Sequence, residues 1–119
     1  MTLAAFEQLV EDALSGIPAA YRSRMRNVVL VVDDHAPEPG LLGLYEGRPL
    51  TERSVSESFS MPDRITIYRM PHERMARNSQ HLRRMVAETV WHEIAHYFGL
   101  NEAQVLRAER ARTRRRYSR

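Results

Sequence analysis

Residues 91–102 read Trp-His-Glu-Ile-Ala-His-Tyr-Phe-Gly-Leu-Asn-Glu and contain the pattern H-E-x-x-H. His92 and His96 stand four apart. On a helix their side chains lie one turn apart on the same face, with about 5–6 Å between Cβ atoms. That separation lets two imidazole nitrogens reach one zinc ion at about 2.0–2.1 Å each. Glu93 follows the first histidine and sits about 100° further round the helix. It is too far round to ligate in the same way, but it can reach a water on the metal. Zinc lowers the pKa of such a water toward about 7, and a neighbouring carboxylate can take its proton. The chemistry implied is hydrolysis at a polarised carbonyl, with Glu93 as general base and as proton donor to the leaving amine. The competing reading is a pair of buried helix histidines satisfied by hydrogen bonds.

A catalytic zinc usually keeps three protein ligands and one open position. The chain has no cysteine, so any metal site must draw on His, Asp or Glu. Gly99 can take positive φ and turn the chain back after the helix. Glu102, ten residues after His92, is then the candidate third ligand. Its competing reading is a first-turn acid favoured by the macrodipole of the next helix. Glu109 is the weaker alternative. An oxyanion also needs a partner. Tyr45, Tyr68 and Arg69 are the candidates, against a reading of both tyrosines as ordinary core or rim aromatics. His35, His72 and His81 are expected at the surface.

The elements that must position these groups follow from hydrophobic periodicity. Residues 3–15 form an amphipathic helix with Leu3, Phe6, Leu9, Val10, Ala13 and Leu14 on one face and Thr2 as N-cap. The β-branched run at 27–32 is a buried strand. A long loop follows over 33–62, and within it the segment 41–47, Leu-Leu-Gly-Leu-Tyr-Glu-Gly, offers a brief edge strand along which a substrate could pair. Residues 64–69 alternate as a strand, with Ile65 and Ile67 facing one way and Thr66 and Tyr68 the other. A helical turn at 71–78 leads into a long helix over 79–98, capped by Ser79 and ended by Gly99. A last helix starts at Glu102 with Asn101 as N-cap. The order predicts a small α+β domain over residues 1–106, followed by an Arg-rich tail over 107–119.

The 119 residues, 43% of them apolar, suffice for one core and leave no room for a second. The net charge of +3 is uneven, since residues 107–119 hold seven Arg and one Glu while the remainder carries −3. All the basic residues are arginine, which reads as a coding bias. The tail has little interleaved aromatic character, and an acidic body repels phosphates, so nucleic acid is disfavoured as a partner. The first residues carry acids and no basic n-region, unlike a signal peptide, and no apolar run approaches the roughly 20 residues of a membrane span. A soluble, cytoplasmic protein is expected.

Three segments carry a resemblance: residues 41–47, residues 62–68 (Pro-Asp-Arg-Ile-Thr-Ile-Tyr) and residues 90–102. In this order they resemble the bacterial family of minimal zincin-like metallopeptidases, over about residues 3–106. The resemblance implies a small zincin fold with the active helix against a short sheet, one zinc ion per chain, His92 and His96 as ligands, and Glu93 as the catalytic acid and base. The family's motif usually has Asp where this chain has Glu102, so the third ligand is carried over with a departure of one methylene. Peptides or unfolded protein segments are the implied substrates. Two other function classes compete. One is a non-catalytic or partner-dependent zinc protein, which would not need Glu93. The other is a single-zinc endoribonuclease. Some bacterial examples share the ligand spacing, but with His in the third position and no Glu after the first.

Overall fold

The computed structural model describes residues 1–47 and 62–101, together with Ala103, Gln104, Arg107 and Arg110. Among the described residues seven elements follow in order: α1 (Leu3–Ser15), α2 (Ala19–Arg22), β1 (Val28–Asp33), β2 (Gly43–Glu46), β3 (Asp63–Tyr68), α3 (Arg69–Met75) and α4 (Ser79–Tyr97). This is a small α+β fold with one three-stranded sheet, in the order β1-β3-β2. No helix among the described residues is long and apolar enough to cross a membrane.

The middle strand β3 runs parallel to β1 and antiparallel to β2. The register assigns the faces. Val28, Leu30, Val32, Ile65, Ile67, Gly43 and Tyr45 share the face that meets the helices, and Val29, Val31, Thr66, Tyr68, Leu44 and Glu46 share the other. Phe6 and Val10 of α1 and Leu82, Val86, Val90 and Ile94 of α4 fill the core against the first face. Phe6, Val86, Val90 and Ile94 are wholly buried. Helical periodicity in α1 and α4 and period-two alternation in the strands thus converge on one layer.

The helix ends decide where α4 points. Asn78, not Ser79, is its N-cap: the Asn78 side chain accepts from the His81 N–H at 2.8 Å. Asn and Ser are about equally good caps, and the extended backbone of Asn78 selects it. At the other end Gly99 has φ +86°. Its N–H bonds the His96 carbonyl at 2.9 Å, and the Leu100 N–H bonds the Ala95 carbonyl at 3.1 Å. That pair of bonds is a Schellman turn, which glycine permits because it has no Cβ. Asn101 and Gln104 then bond each other's backbone N–H reciprocally, at 2.8 and 2.9 Å, as a capping box does. The expected C-terminal helix and the Arg-rich tail otherwise lie largely outside the described residues.

Tyr97 ties the C-terminal end of α4 to the entrance of β1. Its hydroxyl accepts from the Arg26 N–H at 3.0 Å and donates to the Arg26 carbonyl at 2.8 Å. The ring itself is wholly buried. Tyr97→Phe removes both bonds and leaves two backbone groups to find other partners. Urea unfolding is expected to show a loss of about 1–3 kcal/mol. A loss below about 0.5 kcal/mol would mean that this clamp does not hold the helix end.

Candidate metal and catalytic site

His92, Glu93 and His96 all lie in the last two turns of α4. The Nε2 atoms of His92 and His96 face each other at 3.2 Å, with ring centroids 4.9 Å apart and planes inclined at 72°. Two nitrogens bound tetrahedrally to one zinc at about 2.0–2.1 Å would stand about 3.3–3.4 Å apart. The spacing therefore fits the bite of a single ion. The Schellman turn adds a constraint. It brings the Leu100 carbonyl to 3.2 Å from His96 Nδ1. A carbonyl only accepts, so Nδ1 carries the proton and Nε2 is left with its lone pair. A carbonyl partner of this kind sets the tautomer of a metal-binding histidine. Gly99 thus acts on the site through the ring it orients.

A carboxylate follows the first histidine on the same helix. Glu93 is buried, with 8% of its surface exposed, and borders a cleft of about 490 Å³ that His92 also lines. Across the cleft stands β2. Its Gly43 approaches α4 so closely that an added Cβ would lie 2.8 Å from Thr89 Cγ2 and 3.1 Å from Glu93 Cγ. β2 is an edge strand among the described residues. The Tyr68 N–H bonds the Leu42 carbonyl at 3.0 Å. Hydrogen-bonded pairs alternate along an antiparallel ladder, so the main-chain N–H and C=O of Gly43 point away from β3. An extended chain could bond there, beside Glu93.

Glu102 and Glu109 lie outside the described residues. Among the described residues no third His, Asp or Glu joins His92 and His96 in a metal-binding group. Tyr45 donates its hydroxyl to Asp63 at 2.6 Å, and its ring packs edge-on against Tyr97 at 6.2 Å. Tyr68 falls on the sheet face opposite α4, a consequence of strand alternation. Burial holds its hydroxyl above the usual tyrosine pKa, helped by the charges of Glu46 and Asp33. Arg69 binds Asp34 at 2.7 Å and Glu73 at 2.9 Å. Its guanidinium holds the Asp34 carboxyl below its ordinary pKa.

His72 departs from its expected surface position. It is wholly buried, with Phe6 5.5 Å away. Its Nδ1 lies 2.6 Å from the Tyr68 carbonyl, and its Nε2 lies 2.9 Å from the Thr89 hydroxyl. The carbonyl again fixes the proton on Nδ1, so the neutral ring accepts at Nε2. Thr89 Oγ1 also reaches the Met85 carbonyl at 2.9 Å, so one hydroxyl proton has two acceptors. The helical turn that Pro71 opens reads as a surface element, whereas the apolar faces of α1 and α4 close over His72. The one sequence signal was the i, i+4 relation of Tyr68 to His72 in a helical first turn.

Burial holds the His72 pKa below its ordinary value, against the backbone bond that raises it. The unfolded chain then binds more protons as pH falls below about 6.5, so the contribution is complete above that pH and declines as pH drops toward the lowered folded value. His72→Gln should flatten the stability profile below about pH 6.5 by up to one proton, about 1.4 kcal/mol per pH unit. Denaturant midpoints across that range check the slope. Parallel profiles for the two proteins would remove His72 from the acid sensitivity.

A comparison with curated proteins returned no match. The description of one protein family, Zincin-like metallopeptidase, matches residues 25–111, which take in all three strands, α4 and its H-E-x-x-H turn. The match covers well over half of the 119 residues, and the chain belongs to the zincin-like metallopeptidase family.

Proposed function

We propose that the protein is a zinc-dependent peptidase that cleaves peptides or unfolded protein segments. The observation that carries this reading is the facing pair of Nε2 atoms, 3.2 Å apart, beside a buried carboxylate on the cleft wall. His92 and His96 would hold the ion. Glu102, which follows the Schellman turn, is the proposed third ligand. Zinc, when bound, acidifies a water and polarises the scissile carbonyl. Glu93 takes the proton of the attacking water as its oxygen bonds to the carbonyl carbon. The C–N bond then breaks, and Glu93 delivers the same proton to the departing nitrogen. The outward main-chain groups of Gly43 offer bonds to an extended peptide and keep its carbonyl near Glu93. A chain without cysteine suits the cytoplasm.

Two measurements test the reading. Metal analysis after dialysis should find one zinc per chain, and zinc should raise the thermal midpoint of the wild type and leave that of His96→Ala unchanged. Incubation with a diverse peptide mixture, with new termini mapped by mass spectrometry, should show cleavage that a chelator abolishes. Zinc bound at full stoichiometry with no cleavage would sink the peptidase reading in favour of a non-catalytic zinc protein.

A further inference from the structure

The cleft beside Glu93 extends well past the catalytic residues. It runs between the segment before β2 and the α3–α4 pair. Leu41 and Leu42 line it from the first, Met85 of α4 and Met75 at the end of α3 from the second, and His81 also borders it. Met85 is 8% exposed and Met75 is 53% exposed, so the methionine lining reaches from a buried position out to solvent. Glu88 lies on the same α4 stripe, one turn before His92, and also borders the cleft. At about 490 Å³ the space is in the range of small-ligand pockets and exceeds what a single water needs.

Magnitudes decide what it takes. An exposed carboxylate such as Glu88 attracts a cation through water by no more than about fivefold in affinity. Burying a large apolar side chain is worth about 10–100-fold. Methionine walls are unbranched and polarisable, and they adapt to long flexible side chains better than to stiff β-branched ones.

We infer that this cleft, bounded by Leu41, Leu42, Met75 and Met85, selects substrates with a long apolar side chain, Leu, Met or Phe, at a position adjoining the scissile bond, over small or charged ones. The inference rests on the peptidase reading for its link to cleavage, but occupancy of the cleft is measurable without turnover.

The probe is a set of blocked pentapeptides differing at one central residue, Leu, Met, Phe, Ala or Asp, titrated into protein carrying ¹³C-methyl methionine. The Met75 and Met85 methyl signals should shift and saturate with the Leu, Met and Phe peptides at about tenfold lower concentration than with Ala or Asp. In the zinc-loaded enzyme the same residues should be enriched on one side of the cut. Met75→Asp changes an exposed position, so it leaves the core intact. It should bring the preference for Leu over Ala to within about twofold. Methyl shifts without cleavage would support the cleft as the binding site and remove the peptidase reading instead. Cleavage with no side-chain preference at either adjoining position, and no movement of the Met75 or Met85 methyls, overturns the inference and leaves the peptidase standing.

Discussion

Glu93→Gln is expected to lower kcat by about 10²–10⁴-fold while zinc content stays at one per chain. Gln keeps the size and the hydrogen-bonding reach of Glu and loses only the ability to take a proton. The position is buried, and Gln fills it with the same number of heavy atoms, so urea unfolding should find the fold retained. Falling activity with unchanged metal and a retained fold is a combination that a folding defect cannot produce. The loss should appear in kcat and kcat/KM alike, because the proton moves only in the transition state. Activity retained to within about tenfold would assign the proton transfer to another group.

Much of this arrangement is legible in the sequence because it is local. The H-E-x-x-H spacing fixes which side chains share a helix face, and the glycine at 99 marks the helix end; both follow from 3.6 residues per turn and from the allowed φ of glycine. The parity of Ile65 and Ile67 against Thr66 and Tyr68 is likewise a local property, and it already implies that Tyr68 and Ile67 cannot serve the same face. What alternation leaves open is which face meets the helix, and so Tyr68 stood among the oxyanion candidates. The cap of α4 was misread by one residue because Asn78 and Ser79 are chemically similar caps and only the backbone distinguishes them.

Long-range facts are the ones the sequence hides. His72 is buried because Phe6, some 66 positions earlier, packs on it, and because Thr89 meets its ring from another helix. Neither neighbour is visible from the Pro-His pair itself. The reach of Gly43 to Glu93 is of the same kind: the glycine-flanked patch reads as an edge strand, but its function as a spacer against α4 depends on how sheet and helix dock.

That docking makes Gly43→Ala the most informative backbone substitution. Three atoms would crowd the new methyl: Thr89 Cγ2 at 2.8 Å, Glu93 Cγ at 3.1 Å and the Thr66 carbonyl oxygen at 3.3 Å. They differ in their freedom to move. The Thr66 carbonyl is part of the middle strand. Thr89 is held by its hydroxyl, which lies 2.9 Å from both His72 Nε2 and the Met85 carbonyl. Rotating Cγ2 away would break those bonds, so α4 must back off from β2 or Glu93 must swing. Overpacking of this kind costs about 1–3 kcal/mol. Because a displacement approaching 1 Å at a catalytic group costs about 10²-fold in rate, kcat should fall by about 10–100-fold. Thr89→Ser separates the two effects, since it deletes Cγ2 and keeps the hydroxyl. In the double variant the contact at 2.8 Å is gone while the contact with Glu93 remains. Urea unfolding should then recover most of the lost stability, and the rate should stay low. Recovery of both together would place the whole effect in the helix–sheet spacing. Recovery of neither would mean that the Thr66 carbonyl, not α4, sets the limit at Gly43.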